Sequence, residues 1–84
     1  MKIDDILDAR GLLCPLPVLK ARKKLLSMAP GSVLSVLATD PAARIDMPHF
    51  CAEAGHVLLS AEEADHCLRY LIMRGQNGRS SLTA

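Results

Sequence analysis

Aromatic side chains are scarce in this sequence. Its 84 residues contain one Phe, one Tyr and no Trp, so Phe50 and Tyr70 leave the hydrophobic core to aliphatic side chains. The scarcity also disfavours direct nucleic-acid binding, because single-stranded bases are commonly held by stacking on exposed aromatic rings. The formal net charge of +1 supplies no basic excess that would attract nucleic acid or a membrane surface. We therefore expect neither as a direct partner.

Long apolar runs and a cysteine framework are missing as well. No stretch approaches the roughly 18–20 apolar residues of a membrane-spanning helix, and the N-terminus lacks the charged and apolar regions of a signal peptide. Three cysteines are too few and too unevenly spaced for a disulfide scaffold, and an odd number suits reduced thiols. These features predict a cytoplasmic protein.

The hydrophobic pattern predicts one small domain at residues 1–75 and a flexible tail at 76–84, where the periodicity stops. In chain order we expect a strand at 3–9, a helix at 15–28, a strand at 33–39, a helix from its N-cap Asp46 to Gly55, and strands at 57–60 and 67–74 joined by a polar loop at 61–65. This β-α-β-α-β-β order predicts an α/β fold. Two helices should cover one face of a mixed four-stranded sheet in a two-layer sandwich.

Cys14 lies where the first strand gives way to the first helix. The residue before a proline favours extended geometry, so Cys14 is expected as the helix N-cap, with Pro15 at the first helical position. Because Pro17 also lacks an N–H, Leu16 is the first-turn residue whose amide could donate to the Cys14 sulfur. A thiol at the positive end of a helix is held more readily as thiolate, so we expect a moderately lowered pKa for Cys14. Spacing alone equally allows a small buried hydrophobe.

Three segments resemble the TusA/SirA/YedF family of small bacterial sulfur-carrier proteins. The first is the signature at residues 7–17, which ends in Cys-Pro-Leu-Pro. The second consists of Asp-Pro at 40–41 followed by Asp-Met-Pro-His-Phe-Cys at 46–51, and the third is the closing stretch at 69–75. The resemblance runs in order from about residue 5 to 75. It implies the same β-α-β-α-β-β fold and a cysteine that carries a persulfide.

On this resemblance Cys14 is the persulfide site, and Pro15, Leu16 and Pro17 are its scaffold. A cysteine desulfurase would give sulfur to Cys14, which would relay it to an acceptor in tRNA thiolation, molybdenum-cofactor maturation or a related pathway. The chain would be a monomeric relay protein, a sulfurtransferase in the broad sense rather than a stand-alone enzyme, and would need no cofactor or metal. Leu13 and Leu16 stand where the thiolation-type carrier has Arg and Glu, at positions expected to contact partners.

Basic residues beside the cysteine form a candidate partner-binding surface. They are Arg10, Lys20, Arg22, Lys23 and Lys24. The three lysines share the polar side of the first helix and would suit an acidic partner, although a merely solvated helix face has the same pattern. Arg22 projects into the apolar side, where it either snorkels past its neighbours or meets Asp8 or Asp40.

The remaining candidates favour structural roles. Cys51 is expected in the core and Cys67 in the last strand, and neither forms a Cys-x-x-Cys pair with Cys14 that would support a dithiol mechanism. The spacing of His49, His56 and His66 from these cysteines matches no zinc pattern. Two other functions stay open: a thiol-independent adaptor on the same fold, and a single-cysteine redox sensor.

Overall fold

Residues 2–76 are described in the computed structural model of this protein. In chain order the elements are β1 (Asp5–Ala9), α1 (Leu16–Leu26), β2 (Val33–Ala38), α2 (Ala43–Ala54), β3 (Val57–Ala64) and β4 (Cys67–Met73). The predicted β-α-β-α-β-β order, with two helices on a four-stranded mixed sheet, is confirmed. The predicted tail at 76–84 falls, except for Gln76, outside the described residues.

The sheet has the order β1-β2-β4-β3. Strand β1 runs parallel to β2, whereas β4 is antiparallel to both β2 and β3. The parallel pair needs a crossover connection, which α1 provides. The last pair in its register is Ala9 with Ala38, so β1 and β2 end at the same edge of the sheet. The segments that follow these two strands therefore meet, and Cys14 lies in the first of them.

The core is mainly aliphatic, as the scarcity of aromatic residues required. Alternate residues of β2 and β4 face the helices, and the buried cluster comprises Ala21, Leu25, Leu34, Val36, Ala38, Ala43, Met47, Phe50, Cys51, Leu68, Tyr70 and Ile72. Full burial of one large aliphatic side chain stabilises a fold by about 1.5–3 kcal/mol. This cluster therefore anchors both helices to one face of the sheet.

Helix α1 begins one residue later than the sequence suggested. Its N-cap is Pro15 rather than Cys14, and its buried residues are Pro17, Ala21 and Leu25. Leu19 and Leu26 are exposed. The buried side is narrow because Pro17, Ala21 and Leu25, spaced four apart, lie in one row along the helix.

Arg22 contacts an aromatic ring instead of a carboxylate. Its guanidinium carbon lies 5.1 Å from the centroid of the Phe50 ring, within the range of a cation–π interaction. Of the two acids proposed as its partners, Asp8 pairs with Arg10 and Asp40 accepts backbone N–H groups. Arg22 thus ties α1 to α2.

Helix α2 begins at Ala43, so the prediction that Asp46 is its N-cap is wrong. The turn before the helix is organised by Asp40, whose carboxylate accepts the Ala42 N–H at 3.1 Å and whose carbonyl accepts the Ala43 N–H at 3.0 Å. Ile45, directly before Asp46, is exposed. Gly55, with φ +79°, ends the helix as predicted.

The β3–β4 hairpin is tighter than predicted. Most of the expected polar loop belongs to β3, which continues to Ala64, and the turn consists of Asp65 and His66, both with positive φ. Glu62 looked like a loop residue because it is charged, yet it pairs with Arg69 on β4 across the two strands. Cross-strand ion pairs of this kind let an exposed strand carry charged side chains.

Candidate functional site

Cys14 is an exposed thiol flanked by two carboxylates. Its Sγ–H donates to Asp46 Oδ2 over 3.0 Å, and its backbone N–H donates to Asp40 Oδ2 over 2.6 Å. The Cys14–Pro15 peptide bond is cis. Cys14 follows β1, Asp40 follows β2, and Asp46 lies in the first part of α2. The site is therefore assembled at the edge of the sheet where the two parallel strands end.

Backbone contacts hold the loop that carries Cys14. Gly11 has φ +82°, a conformation that glycine adopts without steric penalty, and its N–H donates to Thr39 Oγ1 over 2.9 Å. The Leu12 N–H donates to the Ala9 carbonyl at 3.2 Å. Both bonds join the loop to strand ends, so the thiol is held in a defined position.

The predicted hydrogen bond from Leu16 to the sulfur is not formed. The Leu16 N–H donates to the Leu13 carbonyl at 2.9 Å, which closes a turn around Cys14. Pro15 and Pro17 have no N–H to offer. Residues 15–17 at the start of α1 therefore donate no hydrogen bond to the Cys14 sulfur. The hydrogen-bond partner of the sulfur comes from α2 instead.

The pKa of the Cys14 thiol is raised, so the predicted lowering is wrong. The hydrogen bond to Asp46 is the first cause, followed by partial desolvation of the thiol and by the negative charges of Asp46 and Asp40. The prediction considered only the neighbouring helix start. The carboxylates come from 26 and 32 residues further on. Both acids belong to the second segment of the family resemblance. What brings them to Cys14 is the parallel pairing of β1 with β2, because the chain segments that follow the two strands then lie side by side.

The predicted partner-binding residues do not form one uniform basic face. Arg10 is held by Asp8, with Nε and Nη2 each 2.8 Å from a carboxylate oxygen, which brings the pKa of Asp8 to about 2. Lys24 pairs with Asp5 at 2.6 Å. Lys20 and Lys23 line a surface groove of about 270 Å³ that also includes Leu7, Lys24 and Ser27.

Exposed apolar side chains also surround Cys14. Leu13 is 70% exposed and Leu16 44% exposed, and on α2 Ile45, the neighbour of Asp46, is 76% exposed. Large aliphatic side chains grouped on a surface are typical of sites that contact another protein.

The other two thiols differ from Cys14 in exposure. Cys51 is buried, and burial raises its pKa to about 11, which confirms its predicted place in the core. Cys67 is half-buried, with its sulfur 3.8 Å from the Leu68 carbonyl. His56 is also buried, and its Nδ1 accepts the Gly75 N–H at 2.9 Å. Cys14 is thus the exposed member of the three cysteines, all of which belong to the described part of the chain.

Fold and site together define a class of protein: a small α/β domain that presents one exposed sulfur to other molecules. The family model described as sulfurtransferase TusA matches residues 5–74. The chain therefore belongs to the TusA family, and its role is that of a sulfur carrier. Among residues 2–76, helices long and apolar enough to cross a membrane do not occur.

Similar proteins and a similar solved structure support the assignment of this chain to the TusA family. A protein of Neisseria meningitidis serogroup A, provisionally named a sulfur carrier, is 54% identical over 61 residues, which cover 73% of this chain and 82% of the relative. The sulfur carrier protein TusA of Pseudomonas aeruginosa strain LESB58 is 44% identical over 72 residues, which cover 86% of this chain and 91% of that protein. The crystal structure of a SirA-like protein from Desulfitobacterium hafniense superposes with a TM-score of 0.76 at 27% identity, covering 84% of this chain and 97% of that one.

Proposed function

We propose that this sulfur carrier holds its sulfur on Cys14, as a persulfide. The observation that carries the proposal is the exposure of Cys14, in contrast to buried Cys51 and half-buried Cys67. A group that moves between proteins must be reached by both donor and acceptor, and Cys14 satisfies this requirement. Its place in the Cys-Pro-Leu-Pro segment, at the position of the family's signature cysteine, supports the same choice.

The transfer step moves one sulfur atom without an external oxidant. The Cys14 sulfur attacks the terminal sulfur of a donor persulfide, a new S–S bond forms at Cys14, and the donor's S–S bond breaks. The proton lost by Cys14 is regained by the donor thiolate, so the products are a Cys14 persulfide and a donor thiol. The same exchange in the opposite sense passes the sulfur to an acceptor thiol.

A cysteine desulfurase is the proposed donor, and a protein of tRNA thiolation, of molybdenum-cofactor maturation or of a related sulfur pathway is the proposed acceptor. The family resemblance supports these assignments. We place the relay in the cytoplasm, where reducing conditions keep thiols free, as the three cysteines are here. We also propose that the protein is a monomer that acts as one stop in the relay.

Two surfaces beside Cys14 are proposed to contact these partners. The apolar one consists of Leu13, Leu16 and Ile45, which a partner must cover in order to bring its sulfur to Cys14. The basic one consists of Lys20 and Lys23 on α1. Arg10, Arg22 and Lys24 are proposed as further partner contacts outside this pair of lysines, and they are held by Asp8, by the Phe50 ring and by Asp5 respectively.

The test is to incubate the protein with a cysteine desulfurase and cysteine, and to measure its intact mass. We expect a gain of one sulfur atom in the wild type and in Cys67→Ser, and none in Cys14→Ser. Cleavage after Arg10 and Lys20 releases fragment 11–20, which contains Cys14 as its single cysteine, so the added sulfur can be located. An undiminished gain in Cys14→Ser would refute the proposal.

A further inference from the structure

The side chain of Asp46 faces the Cys14 sulfur from across the site. Its Oδ2 accepts the Sγ–H hydrogen bond at 3.0 Å, and Asp46 itself is half-buried. The ion pairs found among residues 2–76 leave Asp46 without a cation. A carboxylate this close to a thiol disfavours a second negative charge on the sulfur. Asp46 lies inside α2, so its position relative to Cys14 is fixed by the packing of that helix.

We propose that Asp46 is a positioning residue that keeps the resting Cys14 sulfur protonated and directs its proton toward α2 until a sulfur donor arrives. This inference rests on the proposed function of Cys14. It adds a control on when the sulfur reacts: the carrier is a poor nucleophile toward general electrophiles and becomes reactive within the complex with its donor. Such a thiol is protected from oxidation and from unspecific alkylation, both of which proceed through the thiolate.

The surrounding charges support this assignment. Asp40 is the second negative group near the sulfur, and its carboxylate is engaged by the N–H groups of Cys14 and Ala42. The arginines on the adjacent elements are engaged elsewhere, and Lys20 and Lys23 of α1 appear in none of the ion pairs described for residues 2–76, including any with Asp46. Arg10 before the site pairs with Asp8, Arg44 on α2 pairs with Glu63, and Arg22 on α1 lies over the Phe50 ring. The two acids also raise the pKa of the Cys14 thiol, in agreement with the geometry.

Asp46 also lies in the path of the proton that sulfur transfer must remove. When the new S–S bond forms at Cys14, the Sγ proton has to leave, and the Asp46 carboxylate is its hydrogen-bond acceptor. The donor thiolate released by cleavage of the old S–S bond then takes up the proton that Cys14 lost. The overall exchange conserves protons and electrons, so Asp46 returns to its starting state after each transfer.

The experiment measures the alkylation rate of Cys14 by iodoacetamide between pH 6 and 10, read on fragment 11–20 by mass spectrometry. In Asp46→Asn we expect the midpoint of the pH profile to move to lower pH and the rate at pH 7.5 to rise roughly three- to tenfold, because the thiolate fraction grows tenfold per pKa unit while its nucleophilicity falls somewhat. Asp46→Glu should stay nearer to the wild type. Glu53→Gln, which removes an exposed charge from the same helix, should leave the profile unchanged.

Asp46→Ala serves as a second variant, because alanine favours the helical state and cannot hydrogen-bond the sulfur. The inference would be overturned if the pH profiles of alkylation in both Asp46→Asn and Asp46→Ala superposed on that of the wild type or moved to higher pH. The measurement uses no sulfur donor, so it is independent of the persulfide test. If Cys14 gains sulfur normally but its alkylation rate does not depend on Asp46, only this inference is contradicted. If the alkylation profiles are as expected but Cys14 gains no sulfur from the desulfurase, only the proposed function is contradicted.

Discussion

At the scale of single residues, His56 shows how burial fixes a protonation state. It is 7% exposed, and its Nδ1 accepts the Gly75 N–H at 2.9 Å. An accepting Nδ1 has no proton of its own, so this bond requires the neutral ring in the tautomer protonated at Nε2. Burial first, then the positive charges of Arg74 and Arg22, lower the pKa of His56 below its ordinary value of 6.5. Protonation would therefore break a contact that joins the residue before β3 to the segment after β4.

We predict that acid destabilises the protein through His56. Because the folded pKa is below the unfolded one, the unfolded chain binds the proton first. The stabilising contribution is fully present above the unfolded pKa, near 6.5, and is lost as the pH falls below that value toward the folded pKa. Urea denaturation at a series of pH values from 8 to 5 should show the free energy of unfolding declining below about pH 6.5.

The matched variants separate His56 from the other titrating groups. His56→Asn keeps an acceptor near the position of Nδ1 but cannot be protonated, so its free energy of unfolding should depend less on pH in this range. His66→Asn, in the exposed β3–β4 turn, should retain the wild-type dependence, and asparagine tolerates the positive φ there. An equal slope in His56→Asn and in the wild type would contradict the prediction.

The ionisation of Cys14 could not be predicted from its sequence neighbours. Two prolines and a helix start were visible around it, and they suggested a stabilised thiolate. The deciding contact with Asp46 depends on the end of β1 lying beside the end of β2 and on α2 beginning at Ala43 rather than at Asp46. The position of the exposed cysteine was predictable, whereas the sign of its pKa shift belongs to the tertiary structure.

At the scale of secondary-structure elements, the β3–β4 turn has an unfavourable residue choice. Asp65 and His66 have φ values of +52° and +62°, and they lie between the paired residues Ala64 and Cys67. A two-residue hairpin with both φ values positive is a type I′ arrangement, which favours glycine at its second position. Histidine there retains a steric penalty against its Cβ.

We predict that His66→Gly raises the free energy of unfolding by about 1 kcal/mol, because an L side chain in the left-handed region costs about 1–2 kcal/mol and glycine loses more chain entropy on folding. Urea denaturation monitored by circular dichroism gives the value. His66→Val should have the opposite effect, since a β-branched side chain suits this conformation least. Equal stabilities of the glycine and valine variants would show that the turn is not under this constraint.

The hydrophobic periodicity of the sequence located every helix and strand. Where each helix and strand begins and ends depends on side-chain contacts that cannot be read from the sequence. Alternation identified β2 and β4, and Gly55 marked the end of α2. The start of α2 was misplaced because Asp46 resembles an N-cap, yet Asp40 organises the turn before the helix. The extent of β3 was underestimated because ion pairs with Arg44 and Arg69 allow its charged end to remain a strand.

At the scale of the whole molecule, charges are distributed unevenly around the site. The acids Asp40 and Asp46 contact Cys14 directly, whereas lysines line α1. Lys24 pairs with Asp5, but the ion pairs described for residues 2–76 include neither Lys20 nor Lys23. With a formal net charge of only +1, attraction of a partner depends on such local groups more than on the total charge.

We therefore predict that the double variant Lys20→Gln/Lys23→Gln accepts sulfur from a cysteine desulfurase several-fold more slowly at low ionic strength, because surface charges steer association. The measurement is the initial rate of persulfide formation on Cys14, followed by mass spectrometry at low salt and near 0.5 M salt. The difference from the wild type should shrink at high salt, where charges are screened within about 4–5 Å. Lys2→Glu changes the net charge by the same two units at an exposed position outside α1 and is the control. If this control and the double variant slow the reaction to the same extent, net charge and not the α1 surface governs encounter, and the assignment of Lys20 and Lys23 to partner binding is wrong.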